Sequence, residues 1–306
     1  MVSALETIVP IFLVMGLGYG AKRKGWLTEA FMASGNRTLY MVAIPILLFH
    51  KISTAPFRGS FFPNLIAGCI LAIALMSGVV LVLRRFLPLT KGKFATFLQG
   101  CIHGNIGYIG LAVCYYSFND RYFGIAGVLA GFFIITQNIL TVTFYHLLVD
   151  QGSNRRGGTL GRLMANPIIL ATLAGLAASF FHLTLPVIID RTMMIVSRMA
   201  LPTALLIIGG SLNLRQVFTD LRLSLLASAL KMVLLPLMGL LVFSLLSVPR
   251  DLWIVGITLL STPTAMTCYI MSRELHGDPE LASSIVTTSI LLSLVTFVFW
   301  LSLFNG

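Results

Sequence analysis

The sequence predicts an all-α membrane protein of ten transmembrane helices, arranged as two inverted five-helix repeats whose fourth and ninth helices are broken and cross near the membrane midplane. Three observations carry this expectation. The 306-residue chain is 57% hydrophobic and only 10% charged, with mean hydropathy +0.94, a composition suited to a bilayer rather than to water. Prolines recur at one separation, since Pro10 to Pro167 and Pro45 to Pro202 are each 157 residues apart. Lastly, two apolar segments hold helix-breaking residues at their centres, Gly104-Asn105-Ile106-Gly107 in one and Thr262-Pro263-Thr264 in the other.

Apolar runs near the length of about 20 residues that spans a bilayer fall at roughly 4–21, 35–50, 62–83, 94–118, 122–148, 166–182, 192–212, 223–246, 252–271 and 281–304. The first carries Pro10 and a glycine-rich end and is followed, not preceded, by Lys22-Arg23-Lys24, so it reads as a retained helix rather than a cleaved signal. Pro45 stands in the second run, Pro167 opens the sixth and Pro202 stands in the seventh. Each proline constrains a kink, which makes Pro45 and Pro202 candidate hinges. The same offset pairs Gly18 with Gly175, Ala43 with Ala200 and Leu48 with Leu205. Five spans per half is an odd number, and it forces the second half to sit upside down relative to the first. One membrane domain results, with repeat one at 1–150, a glycine-containing basic linker at 150–163 and repeat two at 164–306.

A formal net charge of +11 could suggest nucleic acid, but the placement of the charges excludes it. Loops after odd-numbered runs hold fourteen Lys and Arg residues, including Arg84, Arg85, Arg155 and Arg156, against five on the opposite side. By the positive-inside rule both termini are non-cytoplasmic and the linker is cytoplasmic. Cys69, Cys101, Cys114 and Cys268 lie in apolar runs without Cys-x-x-Cys spacing and read as buried thiols.

The centre of the fourth run is where chemistry is expected. Glycine weakens a helix by roughly 1 kcal/mol relative to alanine, and a freed backbone group at membrane depth must face protein or a water-lined cavity. In the ninth run Pro263 removes a backbone donor, while Thr262 and Thr264 can bond the groups so released. Half-helix N-termini at such a crossing favour an anion, and a carboxylate is the obvious guest. Candidate binding residues are therefore Gly104, Asn105 and Gly107 with Thr262, Pro263 and Thr264, Asn105 offering both donor and acceptor. Lys231 lies about ten residues into the eighth run, where a cation is a functional candidate by default, as counter-charge to the anion. His103 adjoins the break and could titrate in a proton-coupled cycle; Arg198 stands nearer a segment end, where its long side chain can snorkel, and His50 and His146 lie close to segment ends. No Asp or Glu falls in the middle of a run, which disfavours a cation exchanger built on buried carboxylates. His-Glu-x-x-His, Gly-x-Ser-x-Gly and Walker motifs are absent, so neither an enzyme, a metal site nor a cofactor is expected.

Val9-Pro10-Ile11-Phe12-Leu13 through Gly18-Tyr19, the Lys22-to-Leu27 loop, Ile44-Pro45-Ile46-Leu47-Leu48-Phe49 and Gly104-Asn105-Ile106-Gly107-Tyr108-Ile109-Gly110 together resemble the auxin efflux carrier family of bacteria and plants. The resemblance runs over essentially the whole chain. It implies the fold of bile-acid and sodium/proton transporters, with Asn105 as the crossover asparagine and Pro263 as the crossover proline of the ninth helix. It further implies a secondary transporter of small carboxylates such as malonate, in a plasma membrane (the inner membrane of a bacterium), working by rocking or elevator-type alternating access. The chain departs from the plant pattern in lacking a proline at the fourth-helix break and a long central loop. Expected partners are a carboxylate substrate and membrane lipid, with an exposed scaffold face suited to a homodimer and no nucleic acid. A Na⁺/H⁺-type antiporter or an ion channel of similar fold is the alternative.

Overall fold

A computed structural model of the chain describes residues 4–55, 61–149 and 166–304. Among these residues the structure is helical, and the one β-type contact is an isolated bridge between Gly104 and Thr264. The linker expected at 150–163 lies outside the described residues.

Helix α1 (Ala4–Arg23) begins with Glu6 and ends with Lys22 and Arg23, charges that match its dipole. Helix α2 (Glu29–Ser53) is capped by Thr28, whose Oγ1 accepts from Phe31 N at 3.2 Å. It starts six residues before the apolar run does, because its opening turns, Glu29–Thr38, are polar. The turn Leu39–Ala43 then widens to π geometry just ahead of Pro45, which accommodates the proline's missing N–H and its ring. Next come α3 (Pro63–Leu83), α4 (Lys91–Ile102), α5 (Ile106–Ser117) and α6 (Asp120–Val149). Asn166 caps α7 (Pro167–Phe180), accepting from Ile168 N at 3.0 Å, with Pro167 in the first turn, where a missing N–H does no harm. Helix α8 (Val187–Ser211) carries Pro202 internally.

Helix α9 (Leu221–Leu245) repeats the device of α2, a π turn at Leu230–Leu234 placed just before Pro236. The Met232 carbonyl, four residues before that proline, accepts from Trp300 Nε1 at 2.8 Å. Finally α10 (Arg250–Leu260), α11 (Thr267–Glu274) and α12 (Pro279–Ser302) close the described chain, α12 being capped by Asp278. Seven of these helices, α1, α2, α3, α6, α8, α9 and α12, are long and apolar enough to cross a membrane. The fourth and ninth apolar runs are each present as two short helices, α4 with α5 and α10 with α11.

Contacts sort the helices into two compact units that do not follow the sequence halves. One contains α1, α2, α5, α6 as far as Phe132, α7 and α8. Its most extensive pairings are α1 with α8 and α2 with α7. At the first seam a Cβ on Gly18 would overlap the Leu206 backbone, and one on Gly209 would overlap that of Met15, so the helices meet backbone to backbone. At the second, a Cβ on Gly175 would lie 3.3 Å from Phe49 O and 3.0 Å from Ile52 Cβ. Gly18 to Gly175 and Phe49 to Leu206 are each separated by the same 157 residues as the prolines. The ends are fastened by His50 with Asp190 at 2.8 Å, Lys51 with Asp120 at 2.5 Å, and Ser179 Oγ donating to Ala55 O.

The other unit contains α3, α4, α6 from Phe133, and α9 to α12. Lys93 of α4 reaches both carboxylate oxygens of Asp220 at 2.9 Å and lies 3.9 Å from Asp278. It thereby ties together the starts of α4, α9 and α12. Ser224 donates to Ser284 at 2.7 Å across α9 and α12. Along α4 and α6, Tyr145 hydroxyl shares a hydrogen bond with Thr96 at 3.0 Å and donates to Gln99 Oε1 at 3.1 Å.

Candidate functional site

The α4 helix stops at Ile102 because His103 turns to extended backbone, with φ −92° and ψ 95°, and Gly104 follows. The α10 helix stops at Leu260, capped by Ser261 ahead of Thr262 and Pro263. The two interruptions run antiparallel: Asn105 N donates to Pro263 O at 2.8 Å and Ala265 N donates to His103 O at 2.9 Å. Backbone groups freed by each break are satisfied by the other, as a low-dielectric interior requires. The two bonds interchange when 160 is added to or subtracted from each residue number, three more than the offset of the prolines.

Hydroxyls complete the arrangement. Ser261 Oγ donates to Thr258 O at 3.0 Å and Thr262 Oγ1 to Leu259 O at 2.8 Å, both inside their own chain segment. Thr264 reaches across, its Oγ1 donating to Gly100 O at 2.8 Å, while its N–H donates to Ser289 Oγ at 3.0 Å. Lys231, on the π turn of α9, is fully buried and donates to Leu260 O at 2.7 Å. A Cβ placed on Gly104 would collide with Thr262 Oγ1 and stand 3.1 Å from Lys231 Nζ. The ammonium thus lies against the glycine of the first break. A lysine at such depth is costly as an ammonium unless it is paired.

Of the residues singled out from sequence, Gly104, Asn105, Pro263, Thr264, Thr262 and Lys231 are brought together. Gly107 is not among them; it belongs to the other unit, on the π turn Ile106–Gly110, with Ile168 Cδ1 3.7 Å from where its Cβ would be. Asn105 is 5% exposed, and none of the described residues partners its Nδ2. His103 is buried; its Nδ1 shares a hydrogen bond with Thr141 at 3.1 Å, and Nε2 stands 3.4 Å from Thr267 Oγ1. Arg198 and His146 are exposed, and His50 is engaged by Asp190. All four cysteines are buried and free. Among the described residues no Asp or Glu is buried and no cluster of three or more His, Cys, Asp or Glu could hold a metal.

Sequence reasoning missed Ser289, Thr141 and Gln99. The last two belong to a polar stripe spaced for one face of each helix: Thr96, Gln99 and His103 on the α4 side, Gln137, Thr141 and Tyr145 on α6. Thr141 and Tyr145 stand four residues apart inside an apolar run, and that spacing was the available signal.

The broken-helix geometry is matched by kinship. The family model described as "Membrane transport protein" matches residues 3–157 and again 157–301. The chain belongs to this membrane transport protein family. It is the family of the auxin efflux carriers whose motifs the sequence resembles, and the transporter is a multi-pass membrane protein. It is 28% identical over 302 residues to a protein of Methanothermobacter thermautotrophicus named "Uncharacterized transporter", covering 97% of each chain. It is 26% identical over 310 residues to a protein of Rhizobium meliloti named "Putative malonate transporter", covering 94% of this chain and 92% of the relative.

Proposed function

We propose that this transporter is a secondary carrier of a small carboxylate anion, working by rocking or elevator-type alternating access. The observation that carries the reading is the placement of Lys231 Nζ against Gly104, at the point where two broken helices exchange backbone hydrogen bonds. Glycine leaves room for the ammonium, and Asn105 adds an unpartnered amide donor beside it. Asn105, Gly104, Thr262, Pro263, Thr264 and Lys231 form the substrate site, with Thr264 and Pro263 holding its backbone. His103 supplies the titratable group of a proton-coupled cycle, and Pro45 and Pro202 supply the kinks. Malonate is the leading substrate because of the name of the Rhizobium relative.

Ten spans in two inverted repeats, with α4–α5 crossing α10–α11, are the architecture proposed for it. The mirrored glycine seams and the interchangeable backbone bonds support that reading. The charge bias of the loops supports a plasma-membrane orientation with both termini non-cytoplasmic. The absence of a buried carboxylate among the described residues argues against a Na⁺/H⁺ exchanger.

The test is thermal unfolding of the purified protein in detergent against malonate, other mono- and dicarboxylates, indole acetate and Na⁺, followed by counterflow in proteoliposomes. A ligand at about 100 times its dissociation constant adds about 2.7 kcal/mol of stability. Stabilisation by a carboxylate class, lost in Asn105→Ala, is the expected result. Stabilisation by Na⁺ alone would replace the carboxylate reading with cation exchange.

A further inference from the structure

Gln137 is the most conspicuous polar group of the unit that holds the breaks. It is 1% exposed, and none of the described residues partners either its Oε1 or its Nε2. Buried amides are almost always hydrogen-bonded in the protein or to something bound, so a glutamine with both ends unpartnered calls for a ligand as its explanation. Asn105 presents a second such amide through Nδ2.

Spacing along the two segments puts the two amides at about the same level. Tyr145 of α6 bonds Gln99 of α4, and one turn on, Thr141 bonds His103. Gln137 is the next residue of that α6 face, four positions and about 6 Å beyond Thr141 at 1.5 Å per residue. On the facing chain Asn105 lies two residues beyond His103, again about 6 Å for extended backbone. Thr96–Tyr145, Gln99–Tyr145 and His103–Thr141 are thus rungs of one polar ladder, and by spacing the next positions are Gln137 and Asn105, whose amides have no partner among the described residues.

Charge narrows what closes it. Among the described residues, the buried basic side chains are Lys231, His103 and His50; His103 is engaged by Thr141, and His50 belongs to the other unit and is engaged by Asp190. With His103 in its neutral form, the ammonium of Lys231 is the one positive charge left at the site, enough for one negative charge. Gln137 is suited to a neutral end: Nε2 donates to a carbonyl oxygen while Oε1 accepts a hydroxyl or amide proton. We infer that Gln137 is a substrate-contact residue that selects a dicarboxylate in its singly charged form, binding the protonated carboxyl while Asn105 and Lys231 hold the ionised one. This role rests on the carboxylate reading above and gives it a specificity device.

The test uses the full-length protein in detergent, with affinities taken from the dependence of the unfolding midpoint on malonate, malonamate and propionate. Malonamate carries one carboxylate and one neutral amide; propionate has a carboxylate and no second polar end. Gln137→Met is expected to weaken malonate and malonamate by about tenfold and to leave propionate within twofold. The ligand-free midpoint should hold or rise, because an unpartnered buried amide is exchanged for an apolar chain of similar length. A structural glutamine would behave oppositely: a lower ligand-free midpoint and equal losses for all three ligands would overturn the assignment, as would unchanged malonate affinity. Should Gln137→Met not fold, Gln137→Asn, which withdraws the amide by one methylene, is expected to show the same ligand pattern. Failure of every carboxylate to stabilise the unmutated protein would instead remove the carboxylate reading itself, and with it this role.

Discussion

His103-Gly104-Asn105 and Pro263-Thr264-Ala265 exchange the same pair of backbone bonds with different side-chain chemistry. In each, the first residue accepts through its carbonyl and the third donates through its N–H, to each other's partners. Yet the side chains divide the labour. On the ninth-run side Thr264 spends its hydroxyl on Gly100 O, and Ala265 has nothing to offer a ligand. On the fourth-run side Gly104 gives its space to Lys231, and Asn105 keeps an unpartnered donor. On the proposed reading one break secures the backbone and the other carries the recognition, which is how a near-symmetric frame would build an asymmetric site.

Gly104→Val should break the comparison most. Its Cβ has no room beside Thr262 Oγ1, which is itself held by Leu259 O. Overpacking of this kind destabilises by about 1–3 kcal/mol, and displacement of Lys231 should remove carboxylate stabilisation as well; both are read from melting curves with and without malonate. Lys231→Met should act more selectively. A charge-assisted contact contributes about 1.5–3 kcal/mol, so malonate affinity should fall on the order of 30-fold. The ligand-free midpoint should move little, since an apolar residue tolerates that depth. Thr264→Val tests the supporting side. Interhelical hydrogen bonds in membranes average about 0.6 kcal/mol, so a small drop in midpoint with affinity retained is expected. An affinity loss as large as that of Lys231→Met would place Thr264 in the recognition half instead.

Sequence reasoning located the breaks because glycine, proline and hydroxyl residues are conspicuous in apolar runs. Gly104, Asn105, Thr262, Pro263 and Thr264 were all legible that way. Lys231 was legible as a lone buried charge, though not its position against Gly104, which depends on how α9 packs. Gly107 follows Asn105 by only two residues, and that it lies on the π turn of α5 has no signal in the sequence. The early start of α2 leaves no trace in hydropathy, because its cap and opening turns are polar. Gln137 escaped because a single amide in an apolar run is uninformative until its neighbours, Thr141 and Tyr145, are seen to be spoken for.

The smallest effect expected is also the sharpest probe of the symmetry. Pro263 was the strongest sequence signal for a break in the ninth run, and a proline in a helix interior ordinarily decides where the helix ends. Its counterpart in the fourth run is His103, which has a backbone N–H and uses it, donating to Gln99 O at 2.8 Å. The same antiparallel exchange forms there regardless. What Pro263 contributes to the exchange is its carbonyl, the acceptor for Asn105 N, and every residue type has one. Pro263→Ala should therefore keep the break and leave carboxylate affinity and transport near their starting values. Were the substitution instead to abolish transport while the protein stayed folded, the proline's rigidity rather than its carbonyl would be what the ninth-run break supplies. The equivalence of the two breaks would then hold for hydrogen bonds but not for motion.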